Sequence, residues 1–273
     1  ILKKEVIKTQ AEDGTVVVLD PKNGEVLAAV SYPSFNPNDP QDRDFSRVKA
    51  RAMTDMLEPG STFKPFTIAA ALESGKYTPD TIIHTSPGYY FYHGNKIKDD
   101  GDFGAITVTG VLVKSSNVGV SKIALSLPWK SVYNQIIRAG FGQAPGVHFP
   151  GTSHGVLHPL DTLNGFEYAT VSFGYHVDVS VLQLARAYGA IANNGILYPV
   201  TLVKPKTPPK GTRIMPAKVA NEILKMLHSV TQKGGTALLA NVPGFEVAGK
   251  TGTSRIAGPH GYIKHKHNAV FAG

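Results

Sequence analysis

The sequence contains no cysteine among its 273 residues, which excludes disulfide bonds and metal sites with thiolate ligands. This absence is compatible with an oxidising compartment but does not demonstrate one. No apolar run approaches the roughly 18 residues that a membrane-spanning helix needs, and no signal peptide opens the chain. Repeats and low-complexity tracts are also missing, so the pattern favours one large globular domain.

Acidic residues are fewer than basic ones: the sequence has 20 Asp and Glu residues and 28 Lys and Arg residues. The net charge is therefore +8, and the isoelectric point is near 9.4. The basic residues are scattered and do not alternate with aromatic residues, so no nucleic-acid surface is predicted. A basic surface would suit an anionic polymer, although an ordinary solubility surface explains it more simply.

Three short motifs occur in a fixed order: Ser61-Thr62-Phe63-Lys64, Ser115-Ser116-Asn117 and Lys250-Thr251-Gly252-Thr253. They supply a serine hydroxyl, a lysine on the same helix face, a polar relay and a cationic strand. These are the parts that acyl transfer through a serine ester needs when no histidine takes part. Each motif is weak by itself, and the order and spacing carry the prediction.

Local context separates Ser61 from a second Ser-x-x-Lys that begins at Ser46. Ser61 follows the turn signal Glu58-Pro59-Gly60 and precedes an apolar, alanine-rich run, which predicts a helix starting at the serine. Ser46 lies in a charged stretch with no such run behind it. A lone serine in the position of Ser61 could equally be a plain helix cap, and the two downstream motifs favour the nucleophile.

With these motifs the chain resembles the transpeptidase domain of class B penicillin-binding proteins, most closely the septal, cell-division subgroup. Further similarity lies in the opening hairpin from Val16 to Val30, in 51–55 leading into Glu-Pro-Gly-Ser, and in 248–254. The resemblance implies a domain over 14–273. It also implies that 1–13 is a polar lead-in from a missing pedestal and membrane anchor, and that the family's last strand and closing helix are absent.

The patterns predict an α+β fold, and the resemblance implies that it is of the β-lactamase and transpeptidase type. Strand-like runs at 15–19, 25–30, 245–250 and 267–272 flank helical periodicity over 61–74, 116–127, 131–139, 178–193 and 216–232. We therefore expect an antiparallel sheet built from both chain ends, flanked by helices, with a helical subdomain inserted between them.

The resemblance also implies roles for individual residues. Ser61 would attack the carbonyl between two D-alanines, or a β-lactam ring, with Lys64 as the base and Ser115 passing the proton to the leaving amine. Asn117 would hold Lys64 and bind the substrate backbone, although an asparagine there could also be a turn or helix-cap residue. Lys250 would contribute a positive electrostatic potential at the site. The remaining expectations are an oxyanion hole from the N–H groups of Ser61 and Thr253, and substrate binding by Ser116, Thr251, Gly252 and Thr253.

No cofactor and no metal are expected. The resemblance implies peptidoglycan stem peptides, β-lactams and a glycosyltransferase of the division complex as partners, with the catalytic domain in the periplasm and an anchor in the inner membrane. His260, His265 and His267 could share a strand face, but neighbouring lysines would repel a cation. The run Tyr89-Tyr90-Phe91-Tyr92 could form an aromatic ligand platform, and more often such a run packs on the core.

Two other functions stay open on sequence alone. A serine β-lactamase shares all three motif types, but its class A form needs a glutamate where Leu160 stands, four residues before Asn164. Class D enzymes prefer a valine where Asn117 stands. The second alternative is a penicillin-sensing or scaffolding domain without catalysis, which the three intact motifs argue against.

The first testable prediction concerns the nucleophile. Ser61→Ala should abolish covalent attachment of benzylpenicillin, whereas Ser46→Ala should leave it intact, because only Ser61 stands in a helix-start context. Intact-mass spectrometry after incubation measures the adduct. A benzylpenicilloyl adduct that persists in Ser61→Ala would contradict the assignment.

Overall fold

The computed structural model describes residues 1–39, 41–42, 44, 47–207, 209–258 and 261–273, so Ser46 and His260 lie outside the described residues. The helices are α1 (Leu2–Thr9), α2 (Arg51–Thr54), α3 (Lys64–Glu73), α4 (Val108–Val113), α5 (Asn117–Leu125), α6 (Trp129–Arg138), α7 (Gly165–Val171), α8 (Val181–Ala192) and α9 (Ala217–Val230). Short 3₁₀ turns occupy Gly60–Phe63, Leu160–Thr162 and Leu238–Ala240.

The strands pair as antiparallel hairpins or short ladders. They are β1 (Gly14–Leu19), β2 (Val26–Tyr32), β3 (Ile82–His84), β4 (Tyr89–Tyr92), β5 (Asn95–Lys98), β6 (Ala105–Thr107), β7 (Val156–Leu157), β8 (Val177–Asp178), β9 (Ile196–Leu197), β10 (Thr212–Arg213), β11 (Lys250–Gly258) and β12 (Gly261–Ala272). The α+β class and the five predicted helices are confirmed, with ends shifted by a few residues.

The predicted strand at 245–250 is wrong except for its last residue. β11 begins only at Lys250, where pairing with Ala272 starts. The segment before it hydrogen-bonds to the end of α9 and not to a strand: the Gly249 N–H donates to the Leu227 carbonyl at 3.2 Å, and the Val247 carbonyl accepts from Thr231 Oγ1 at 2.6 Å.

The predicted single sheet needs a correction. The first hairpin pairs β1 with β2 and the last pairs β11 with β12, and in the described residues no ladder joins the two pairs. Both hairpins pack on α8. A cleft of about 580 Å³ is lined by residues of both hairpins, in β1 and at 270–273, and by α8, so open space and not a shared ladder lies between the hairpins.

Helix α3 forms the centre of the core. Residues 64–72 are all buried, so the helix has no solvent-facing side. Alanines at 69–71 let neighbouring helices approach closely, and α3 contacts α4, α5, α6 and α9. At its start Phe63 and Phe66 pack on Phe141, with ring centroids 4.8 and 5.1 Å apart, and Phe66 meets the ring of Tyr188 edge-on.

The N-terminal lead-in forms helix α1, whose buried residue Val6 packs on Gly14 at the start of β1. No helix in the described ranges has both the length and the apolar character needed to cross a bilayer.

Strand β11 packs directly on the 3₁₀ turn at Gly60–Phe63. The point of closest approach is Gly252, where an added Cβ would lie 2.6 Å from the carbonyl oxygen of Pro59 and 2.9 Å from Thr62 Cγ2. Because a backbone oxygen cannot move aside cheaply, only glycine fits at this position.

We therefore predict that Gly252→Ala lowers the free energy of unfolding by about 1–3 kcal/mol, the usual range for overpacking. The control is Gly101→Ala, where an added Cβ would approach Phe103 Cε1 only to 3.8 Å. Denaturant unfolding measures both variants. Equal stability of Gly252→Ala and Gly101→Ala would show that the turn tolerates displacement from the strand.

Candidate active site

Ser61 lies half-buried in the 3₁₀ turn that leads into α3, and closely packed backbone holds this turn in place. The N–H of Gly60, whose φ is 54°, donates to the carbonyl of Gly174 at 3.1 Å. Gly174 has a φ of 87°, and a Cβ there would lie 2.2 Å from the Gly60 carbonyl oxygen. The hydroxyl of Tyr188 donates to the carbonyl of Thr62 at 2.7 Å. These contacts fix the direction in which the Ser61 side chain leaves the backbone.

The alternative interpretation of Ser61 as a plain helix cap is wrong. Pro59 precedes the 3₁₀ turn and Phe63 precedes α3, and neither helix start has a side-chain cap. Within the described part of the chain, Ser61 Oγ forms no hydrogen bond. Its hydroxyl is therefore available to a reacting molecule.

Two lysine side chains converge on the hydroxyl of Ser115. Lys64 Nζ donates to the Ser115 carbonyl and lies 3.2 Å from Ser115 Oγ. Lys250 Nζ donates to the same Oγ at 2.9 Å and to the carbonyl of Thr251 at 3.1 Å. Both lysines are fully buried although neither forms an ion pair within the described residues. One hydroxyl thus links an amine on the nucleophile's helix to an amine on strand β11.

Burial shapes the protonation of both amines. Desolvation, reinforced by the charge of Lys250, holds the pKa of Lys64 well below its usual value, while Asp99 and Asp100 oppose the shift. Desolvation lowers the pKa of Lys250 to about 8. Near neutral pH, Lys64 is the amine that can accept a proton and Lys250 is the one that carries charge. This division matches a general base and an electrostatic partner.

Asp99 is a residue of the site that sequence reasoning missed. Its carboxylate is 3% exposed and accepts hydrogen bonds from Ser116 Oγ at 2.6 Å, Asn117 N at 2.5 Å and Val118 N at 2.9 Å. The unsatisfied N–H groups at the start of α5 thereby gain an anionic acceptor. Ser115, next to this anchor, has a φ of 58°, a conformation that turns its side chain towards both lysines. An acidic pair at 99–100 was the only available signal, and it gave no hint of burial.

Ser116 does not have the predicted substrate-binding geometry. Its side chain is fully buried, donates to Asp99 and accepts from the Gly119 N–H at 2.8 Å, so it caps α5. Asn117 does not hold Lys64 by a hydrogen bond in the described structure. Its Nδ2 donates to the carbonyl of Lys98 at 3.0 Å, which fastens the motif to β5.

Strand β11 brings its motif beside the nucleophile turn. Thr253 is exposed, and a Cβ on Gly60 would lie 2.9 Å from the Thr253 carbonyl oxygen, so the two segments touch. Thr251 is half-buried and its Oγ1 shares a hydrogen bond of 3.0 Å with Thr236 Oγ1. Gly252 is buried against the turn itself, so its lack of a side chain serves internal packing. The predicted contact of Gly252 with substrate is therefore replaced by a structural role.

The described residues contain no group of three His, Cys, Asp or Glu side chains that could hold a metal ion. His265 and His267 lie exposed on β12, while the third histidine of the predicted trio lies outside the description. The aromatic run Tyr89–Tyr92 forms strand β4, and its side chains alternate between two environments. Tyr90 and Tyr92 are half-buried, whereas Tyr89 and Phe91 are exposed.

The family model described as the penicillin binding protein transpeptidase domain matches residues 14–273. The probable peptidoglycan D,D-transpeptidase PenA of Neisseria flavescens is 40% identical over 272 residues, covering all of this chain and 68% of that protein. The peptidoglycan D,D-transpeptidase FtsI of Escherichia coli K12 is 38% identical, again over all of this chain but only 46% of the relative. The chain thus spans between about half and two thirds of the length of these relatives.

Among solved structures, the transpeptidase domain of Burkholderia pseudomallei penicillin-binding protein 3 superposes with a TM-score of 0.90 at 42% identity. The match covers 99% of this chain and 78% of that one. The three motifs meet at one site, and both sequence and fold match over nearly the whole chain. The chain therefore belongs to the family of penicillin-binding protein transpeptidase domains.

Proposed function

We propose that this chain is a peptidoglycan D,D-transpeptidase that works through an acyl-enzyme on Ser61 and is acylated by β-lactams. The observation that carries the proposal is the pair of buried lysines meeting at Ser115 Oγ beside a serine hydroxyl without a partner. A protein that only bound penicillin as a passive surface would have no need to bury two amines at such a cost in desolvation. The arrangement suits proton transfer.

In the acylation step, Ser61 Oγ bonds to the carbonyl carbon between two D-alanines while its proton passes to neutral Lys64. The carbon–nitrogen bond to the terminal D-alanine then breaks. Ser115 Oγ, which contacts both amines, relays the proton to the leaving nitrogen. The products are a serine ester and free D-alanine, so atoms and charge balance.

In the second step, an amine of a neighbouring stem peptide attacks the ester carbon. Its proton returns to Ser61 Oγ through Lys64, and an amide cross-link forms. The N–H groups of Ser61 and Thr253 are proposed to stabilise the oxyanion in both steps, each donor contributing about 3 to 4 kcal/mol. Lys250 supplies positive field at its buried position, and Thr251 and Thr253 are proposed to bind the terminal carboxylate.

Two features support slow hydrolysis of the ester, which separates this function from a β-lactamase. Asp99 is committed to three donors of the α5 start, so it has little capacity left to activate water. Leu160, in the position of a class A glutamate, stands in a 3₁₀ turn and offers no base. An acyl-enzyme that water attacks slowly can wait for an amine acceptor.

The cellular setting follows from the resemblance to the septal subgroup. We propose action on peptidoglycan stem peptides in the periplasm, with an inner-membrane anchor and a division-complex glycosyltransferase as partner. The net charge of +8 is compatible with contact with an anionic wall polymer.

The function is tested with two substrates in parallel. A fluorescent penicillin should form an adduct that survives for hours, and a D-Ala-D-Ala donor peptide given an amine acceptor should yield the exchanged amide with release of D-alanine. Ser61→Ala should lose both reactions. Rapid turnover of the penicillin would indicate a β-lactamase, and a stable adduct without amide exchange would indicate a sensor.

The pH dependence of acylation follows from the two lysines. The rate should rise with pH as Lys64 loses its proton, because only the neutral amine accepts one, and fall above about pH 8 as Lys250 loses its charge. Rapid-quench acylation by a β-lactam at saturating concentration measures this profile.

The matched variant is Lys250→Arg, because a guanidinium stays protonated throughout this range. Its alkaline limb should move to higher pH while the acid limb remains with Lys64. An alkaline limb at the same pH in wild type and Lys250→Arg would contradict the assigned role of Lys250.

A further inference from the structure

The β4–β5 hairpin presents two aromatic rings and two ammonium groups on one exposed face. The register pairs Tyr89 with Lys98 and Phe91 with Lys96, and cross-strand partners share a face of a sheet. Tyr89 is 40% and Phe91 58% exposed, and both lysines are exposed as well. We call these four residues the aromatic–lysine face. The opposite face, which includes the buried Ile97, packs on the core.

The aromatic–lysine face is already ordered by its own contacts. The rings of Tyr89 and Phe91 meet edge-on with centroids 5.7 Å apart. Lys96 Nζ lies 4.2 Å from the Tyr89 centroid and 5.8 Å from the Phe91 centroid, within cation–π range of both. An anion that pairs with Lys96 would therefore lie beside both rings. Because these side chains already hold each other in place, binding costs little side-chain entropy.

No carboxylate neutralises this face among the described residues: neither Lys96 nor Lys98 forms a salt bridge or a side-chain hydrogen bond. Two free cations beside two exposed rings complement a ligand that combines carboxylates with weakly polar, C–H-rich faces. A saccharide strand whose attached peptides carry free carboxylates has this composition. The rings offer electron-rich faces to polarised C–H groups, and the lysines offer charge.

The hairpin is joined to the active site at its end. The carbonyl of Lys98 accepts from Asn117 Nδ2, and the next residue, Asp99, anchors the start of α5. A long polymer lying on this face would therefore continue towards Ser115. This continuity favours the substrate polymer over an unrelated acidic polypeptide.

We propose that the aromatic–lysine face binds a glycan strand of uncross-linked peptidoglycan, together with carboxylates of the stem peptides that the strand carries, and so holds the polymer while one stem peptide occupies the active site. The proposal rests on the proposed function, which it extends from that one stem peptide to the surrounding polymer. Its ligand contacts are stacking of saccharide rings on Tyr89 and Phe91 and ion pairing of stem-peptide carboxylates with Lys96 and Lys98.

The experiment measures co-sedimentation of the protein with purified insoluble peptidoglycan. Tyr89→Ala/Phe91→Ala and Lys96→Ala/Lys98→Ala should each weaken binding at least tenfold, and added salt should weaken wild type more than the lysine variant. The controls are Phe245→Ala, which removes another exposed aromatic ring, and Lys218→Ala/Lys225→Ala, which removes the same charge elsewhere. Both controls should bind like wild type.

The rate of benzylpenicillin acylation is the second readout, and it should stay within about twofold of wild type in every variant. Retention of that rate shows that the variants fold, because a disturbed hairpin would displace Asp99 and the α5 start. Unchanged sedimentation of the Tyr89→Ala/Phe91→Ala protein would overturn the proposal. So would full displacement of peptidoglycan by polyglutamate at equal carboxylate concentration, which would indicate an acidic polypeptide as the ligand.

Failure of the proposed function gives a different pattern. Wild type would then fail to acylate or to exchange amides, while the sedimentation differences between the variants and their controls would remain.

Discussion

The shared hydrogen bonding of Lys64 and Lys250 to Ser115 Oγ is the constraint on which the site depends. Both nitrogens lie within 3.2 Å of one oxygen, so they are at most about 6 Å apart. Two like charges at that separation repel each other, so a charge on one amine disfavours protonation of the other. Burial adds to this repulsion because it penalises each charged form. The site therefore favours one neutral and one charged amine, which is the state that proton abstraction beside a developing anion requires.

Such an arrangement persists only if the surrounding backbone is rigid. The rigidity comes from three contacts. Gly174 against Gly60 and Gly252 against the Ser61 turn are packed so closely that neither leaves space for a side chain, and the Asp99 carboxylate is held by hydrogen bonds to the start of α5. Each joins segments that are distant in sequence. The central position of α3, buried on all sides, keeps Lys64 out of water and gives the nucleophile a fixed platform. Packing that stabilises the fold thus also lowers the pKa of Lys64.

Much of the fold could be predicted because its signals are local. The helix after Ser61 follows from a turn followed by an apolar run, and the first hairpin follows from Pro21-Lys22-Asn23-Gly24, where Gly24 has a φ of 76°. The strand prediction before Lys250 was wrong because the apolar residues Phe245 and Val247 alternate around Glu246 as in a strand, while the actual start of β11 depends on where β12 offers a partner. The prediction of one continuous sheet was wrong for the same reason, because the composition of a strand does not specify which other strand pairs with its edge.

The sequence by itself determined the family of this chain, since the order and spacing of three motifs combine a serine, a lysine at the start of the following helix and a second lysine on a strand. Only the tertiary structure decided the protonation states and the hydrogen-bond partners of these groups. Burial that lowers both lysine pKa values, the choice of Ser115 rather than Asn117 as the partner of Lys64, and the anchoring by Asp99 all arise between segments far apart in the chain. Desolvation and hydrogen bonding depend on the neighbours that folding supplies, and no local pattern encodes them.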